Sequence, residues 1–184
     1  RWEMWYWGRG IGVPGIGTFL AVSDDGLHWE KPIVGAFEFN GSKENNLVTP
    51  MSPYDQFLYH VQYDERDPDP QRRWKALIGD TNPRPAASPD GINWTFLSEK
   101  HIPSGEEGFL IYDELARRFV FTLRVMHDAG FGRQRAVNIS TSKDFVEWTE
   151  PVLMFAADAR DQELGAEWLR RFTADPAYRQ PLAN

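Results

Sequence analysis

Hydrophobic positions in this chain come in short runs, and where they alternate with polar ones the period is two. Phe57, Tyr59, Val61 and Tyr63 fall on one face of the segment 56–63, the pattern of a half-buried strand. Asp and Pro interleave over 64–71, which reads as a hairpin loop, with 73–78 as its return strand. Segments 109–112 and 119–123 repeat that hairpin around a tighter turn at 113–117. Residues 2–7 form a dense aromatic strand. Residues 9–17 carry Gly at 10, 12, 15 and 17 and read as a loop that no helix would tolerate, before a short strand at 18–22. Segment 37–42 is expected to be a strand ending in a turn, and 43–48 to open the next unit. Strands at 133–140 and 152–155 follow. From Asp161 the spacing changes: Leu164, Trp168 and Phe172 step by four, with Leu169 beside them, which is one apolar helix face. Asp158 to Asp161 caps that helix, and the last dozen residues show no period.

A seven-residue phrase is laid over this pattern three times, running from Ser23 to Trp29, from Ser88 to Trp94 and, more loosely, from Ser142 to Trp148. A basic residue and an aromatic-rich strand precede each copy: Arg1 with Trp2, Arg73 with Trp74, and Arg118 with Phe119. Repetition of a strand-rich unit at this period points to the blades of a β-propeller. The fold class expected is all-β, a partial five-bladed propeller of two to three four-stranded blades with a short C-terminal helix; the number five comes from the resemblance described below. Blades are expected at about 1–40, 43–100 and 106–156 within a propeller part at 1–157, with helix and tail at 158–184. A closed propeller needs about four blades or more, and the chain reads as a fragment that begins inside a strand.

Composition narrows the partners. Net charge is −7, which argues against nucleic acid, because phosphate binding needs a basic field. The aromatic share of 14%, with eight Trp, suits layers of flat side chains and a neutral carbohydrate ligand. There is no Cys, which removes disulfides, thiolate metal sites and a Cys nucleophile. His28, His60, His101 and His127 lack metal-ligand spacing, so no metal and no cofactor are expected. No apolar run is long enough to span a bilayer; secretion or a periplasmic location stays open.

A recurring Ser, carboxylate and Trp invite a catalytic reading, since paired carboxylates cleave glycosides. The structural reading is stronger, because the group recurs in every unit: Asp accepts backbone N–H bonds in a tight turn, Gly supplies positive φ, and Trp packs between blades. Chemistry is then expected at the opposite rim, before the inner strands and between second and third strands. Before the inner strands stand Lys43, Glu44, Asn45 and Asn46 in one blade and Glu106 and Glu107 in the next. The loops add Arg9, Asp80, Asn82, Arg124, His127, Asp128 and Arg135. Carboxylates, amides and Arg converging on a pocket are what sugar binding or cleavage requires. Each has a plainer alternative: Glu106 and Glu107 as a solvated turn, Asp80 as a cap before Asn82, Arg124 in a structural ion pair, His127 as a loop residue. The sequons at Asn40, Asn93 and Asn138 are weak signals.

Segments 20–32, 39–46, 67–76 and 142–148 together resemble bacterial proteins of the glycosyl hydrolase family 32 N-terminal-like group, five-bladed propellers related to families 32, 43 and 68. The resemblance covers roughly residues 1–161. It implies a retaining or inverting glycosidase site of Asp and Glu at the mouth of a central channel. The carboxylate before the first inner strand of such relatives has no counterpart after Arg1. Their Arg-Asp-Pro triplet is absent here, Glu106 or Glu107 holding the nearest place. The expectation is a glycoside hydrolase with Glu106, Glu107 and Asp80 as catalytic candidates. Arg9, Glu44, Asn45, Asn46, Arg124, His127 and Arg135 are the substrate-binding candidates. The rivals are a non-catalytic carbohydrate-binding or scaffolding propeller and a sialidase-like enzyme in which Arg9, Arg124 and Arg135 grip an acidic sugar. The partner expected is a carbohydrate, with no nucleic acid and no membrane, and uncovered blade faces imply self-association.

Overall fold

A computed structural model describes residues 1–9, 15–52, 56, 58–105 and 108–176. Among these residues are three antiparallel sheets, a short 3-10 helix at Pro70–Arg72 and one α-helix. Strands β1 (Trp2–Gly8) and β2 (Gly17–Ser23) pair as the first sheet. The second is a four-stranded meander of β3 (Leu58–Tyr63), β4 (Trp74–Ile78), β5 (Arg84–Ser88) and β6 (Thr95–Phe96). The third is a four-stranded meander of β7 (Gly108–Asp113), β8 (Arg118–Asp128), β9 (Arg133–Ser142) and β10 (Val152–Phe155). Helix α1 (Ala159–Ala174) follows, with Asp158 and Asp161 completing a capping box.

The sheets stack face on face as propeller blades do. Between the first and second lie Leu20, Val48, Leu58, Ala76, Ile78 and Ala86. Between the second and third lie Tyr59 and Leu77 from one side and Leu110, Phe119, Phe121, Leu123 and Phe145 from the other. A Leu or Phe buried there contributes about 1.5–3 kcal/mol relative to exposure. The inner strands β3 and β7 touch, which places the stacking axis on their side.

The three Ser-x-Asp phrases share one hydrogen-bonded core, although the Trp29 and Trp94 indoles bond the Gly26 and Gly91 carbonyls and the Trp148 indole has no such partner. In each, the Ser hydroxyl donates to the Asp Oδ1 two residues on, at 3.1, 2.9 and 3.1 Å for Ser23, Ser88 and Ser142. The same hydroxyl accepts the N–H of Gly26, Gly91 or Phe145. Each Asp Oδ1 then accepts two further N–H groups, from Leu27 and His28, Ile92 and Asn93, or Val146 and Glu147. The His28 N–H and the His28 ring hold Asp25 well below the usual carboxylate range. Burial pushes Asp90 and Asp144 up, and the N–H bonds outweigh it, so both end below that range. These are turns built around a carboxylate, as their repetition required.

The turns are also joints between sheets. The Trp5 indole N–H of β1 donates to the Gly91 carbonyl at 2.8 Å, and its ring lies 4.9 Å from Trp74. Arg72 of the second sheet donates to the Asp144 carbonyl of the third at 3.1 Å. Beside that contact Lys75 is buried, 1% exposed, with its Nζ 2.6 Å from Asp67 and 2.9 Å from the Arg72 carbonyl. Burial pushes the Asp67 carboxyl up, and the Lys75 ammonium, the Asp69 N–H and Arg72 together bring it below its ordinary value.

Four sequence expectations need correcting. Residues 37–42 make no strand: Phe39 and Ser42 bond reciprocally around Asn40 and Gly41, both at positive φ, which is a two-residue hairpin turn. Residues 43–48 open no inner strand, because Asn46, Leu47 and Val48 run along β2 through bonds to Leu20 and Thr18 and the Phe19–Leu47 bridge. The even alternation of β3 is broken by a bulge at His60, φ 48°, so Tyr59 packs toward the third sheet and Val61 toward the first. Arg124, His127, Asp128 and Arg135 lie in β8 and β9 rather than in a loop, since the hairpin stays paired to Asp128 and Arg133.

Candidate functional site

Every strand that ends in a turn phrase starts at the opposite rim, so that rim gathers the end of β1, the β4–β5 loop, the segment leading into β7 and the tip of the β8–β9 hairpin. Arg9 and Asp80 are there, Arg9 exposed and Asp80 half-buried. Asn82 clamps the approach to β7: its side-chain oxygen accepts the Ser104 N–H at 3.0 Å, its own N–H donates to the Ser104 hydroxyl at 3.2 Å, and its carbonyl meets His101 Nδ1 at 2.6 Å. The Gly105 N–H then donates to the Arg124 carbonyl of β8 at 2.8 Å.

Glu106 and Glu107 follow and lie outside the described residues. Both flanks of the pair are fixed. A Cβ on Gly105 would stand 2.6 Å from the Arg124 carbonyl oxygen, and one on Gly108 would stand 2.1 Å from the Phe121 ring. Only glycine permits these approaches. On the far side His60 Nε2 bonds the Gly108 carbonyl. The His60 ring sits 5.2 Å from Phe109 and 5.3 Å from Tyr59, and burial pushes its pKa below the usual histidine value, the Gly108 carbonyl opposing. Neutral His60 donates through Nε2–H and ties β3 to the start of β7.

Strand alternation divides the remaining candidates. Arg124 pairs with Val137 and Arg135 with Met126, which places both Arg on the face of the third sheet turned away from the second. His127, paired with Gln134, is on the other face. Glu44, Asn45 and Asn46 lie away from this rim, on the outer side of β2. The Asn45 amide donates to the Phe37 and Ser42 carbonyls at 2.9 and 2.8 Å, and buried Asn46 donates to Leu20 and to the Tyr6 hydroxyl at 2.7 and 3.0 Å. Those amides shape the strand crossing. Among the described residues, no group of three His, Asp or Glu could hold a metal ion, and no helix is long and apolar enough to cross a membrane.

Sequence reading passed over His60, Gly105 and Gly108 as site-forming residues. A His in a mostly aromatic and aliphatic strand is one available signal, and Gly on both sides of an acidic pair is a second.

No protein-family model and no curated protein matches the sequence. Among solved structures, the α-L-arabinanase of Penicillium chrysogenum, complexed with arabinobiose, is similar at 16% identity and a TM-score of 0.45, over 85% of this chain and 47% of that one. The chain thus spans about half the length of that arabinanase.

Proposed function

We propose that the protein is a glycoside hydrolase that cleaves an oligo- or polysaccharide through a pair of carboxylates, one from Glu106 or Glu107 and one from Asp80, at the rim opposite the turn phrases. One observation carries the reading: the acidic pair is flanked by glycines held from two neighbouring strands, by the Arg124 carbonyl and by His60. Acid-base work on a glycosidic oxygen needs a positioned carboxylate, and backbone held at Gly105 and Gly108 is a scaffold suited to that need. The likeness of the turn phrases and of the 39–46 and 67–76 segments to the family 32-like group points the same way. The same reading has these 184 residues associate with copies of themselves through open sheet faces.

The test measures sugar release by the full-length protein from a broad panel of aryl glycosides and oligosaccharides. Glu106→Gln, Glu107→Gln and Asp80→Asn are compared with the parent. At least one Glu variant is expected to lose about 100-fold or more in kcat, the usual contribution of a positioned acid or base, with little change in KM. No turnover by the parent on any substrate, together with glycan binding that survives all three substitutions, would establish the non-catalytic carbohydrate-binding reading in its place.

A further inference from the structure

The last residue of the turn phrase is a Trp in all three sheets, and its indole is bonded in two of them. Trp29 and Trp94 donate to the Gly26 and Gly91 carbonyls at 3.2 and 3.1 Å. The Trp148 indole N–H is buried and has no partner among the described residues. Phe145 stands where the other phrases have Gly, and its ring lies 5.5 Å from the Trp148 ring. A buried donor left unpaired is costly, because it has given up water and gained nothing in exchange.

The Trp148 side chain lines a cavity of about 190 Å³ on the outer flank of the joint between the second and third sheets. Lys100 to Pro103, which follow β6, form one wall, and Val146 to Glu150, ahead of β10, form the other. Ile102, Pro103 and Val146 add apolar surface to that of the indole. Lys100 and Glu147 join the walls as an ion pair at 2.8 Å. His101 donates through Nδ1–H to the Asn82 carbonyl at 2.6 Å, which leaves Nε2 as an acceptor. The Thr149 hydroxyl oxygen accepts the Thr141 N–H at 3.0 Å and keeps its own proton to donate. Glu150 is exposed and has no hydrogen bond or ion pair among the described residues.

We propose that this cavity binds one neutral sugar ring, at a place separate from Glu106, Glu107 and Asp80. The volume falls below the roughly 300–1,000 Å³ of pockets that take drug-sized ligands, which suits a single ring. A sugar ring offers C–H faces to the indole, Ile102 and Pro103. Its hydroxyls both donate and accept, and so match the acceptors Glu150 and His101 Nε2 as well as the donors Thr149 and Lys100. Two carboxylates stand against one ammonium in the walls, a balance that repels an acidic ligand. A hydroxyl beside the indole supplies the acceptor that the Trp148 N–H lacks, through a small turn of the side chain. The ligand class is that of the reading above, but the site rests on its own residues and requires no cleavage.

The probes are D-glucose, D-galactose, D-xylose, L-arabinose and D-fructose, each titrated into the 184-residue chain carrying isotope-labelled tryptophan. Every indole N–H gives its own NMR signal, and Trp148→Phe identifies that of Trp148 by its loss. At least one sugar is expected to move this signal downfield in a saturable way. Glu150→Ala, at an exposed position, should weaken that binding about tenfold, the loss of a hydrogen bond to a charged acceptor. Asp80→Asn combined with Glu106→Gln and Glu107→Gln should leave it unchanged. The proposal is overturned if no sugar moves the Trp148 signal, if Glu150→Ala leaves the affinity as it was, or if the three rim substitutions abolish the shift. Tighter binding of D-glucuronate than of D-glucose overturns it as well, since the walls are then not selecting a neutral ring. Turnover is read in no arm, so an inactive protein leaves this site standing and an empty cavity leaves the rim reading standing.

Discussion

The fourth position of each turn phrase shows how one backbone requirement is met by different residues. Gly26, Gly91 and Phe145 have φ of 76°, 74° and 64°, where glycine is the undemanding choice. Phe145 accepts that conformation because its ring is wholly buried, 4.8 Å from Phe119 and 5.5 Å from Trp148, so packing offsets the local cost. Gly91 has a second constraint: a Cβ there would sit 2.7 Å from the Trp5 ring that bonds its carbonyl. Gly41 has the same backbone sign, φ 79°, with nothing within 4 Å of its Cβ. Gly41→Ala should therefore cost about 1 kcal/mol, the backbone term alone. Gly91→Ala should cost about 2–4 kcal/mol, since it also displaces Trp5 from a part-buried hydrogen bond. Urea denaturation of the two variants measures the difference, and equal losses would remove the Trp5–Gly91 contact from the account of how the first two sheets are joined.

At the scale of elements, the bulge in β3 is what brings His60 to β7. Extra backbone at this point turns the side chain from the pleat toward Gly108, with its ring between Tyr59 and Phe109. Burial lowers the pKa of folded His60 below 6.5. An unfolded chain takes up that proton first as pH falls, so the stability linked to this group is complete above about pH 6.5 and declines as pH drops toward the depressed folded value. Thermal melting between pH 7.5 and 5 should show that decline, and His60→Asn, which tolerates positive φ, should flatten it. Identical slopes in the two proteins would dissociate the bulge from any pH dependence. The meanders themselves were legible in the sequence, because hairpin loops such as 64–71 and the turn phrases announce where strands stop. Bulge, hairpin length and edge partners were not: His60 interrupts a period of two without any Gly or Pro to mark it, and residues 46–48 carry the same aliphatic signal whether they begin a new sheet or border β2. Of the site, the rim followed from topology, whereas the separation of Arg124 from His127 followed from strand pairing that reaches Asp128, which no composition signal reports.

At the scale of the whole molecule, a stack of sheets has two ends, and in repeat proteins the terminal units normally carry a polar outer face. Both outer faces of the described stack mix polar side chains with exposed apolar ones. The face of the third sheet turned away from the core carries Phe109, Ile111, Met126, Val152 and Phe155, all exposed, Phe155 at 64%. At the other end Trp2 and Met4 are exposed on β1. The interior face of the third sheet, with Leu110, Phe121 and Leu123, shows what such a surface packs against when covered. Net charge of −7 opposes association between copies at low salt, while apolar contact favours it. Sulfate separates the two terms, since it screens charge and strengthens apolar burial. Sedimentation of the 184-residue chain at tens of micromolar should give a weight-average mass above the monomer that rises with added sulfate. Ile111→Lys combined with Phe155→Lys should return it toward the monomer with little change in melting temperature, because both side chains are exposed on the outer face. A parent protein that stays monomeric in sulfate would mean that the open face is too small or too curved to bind its own copy, and that closing the stack requires a sheet of different sequence.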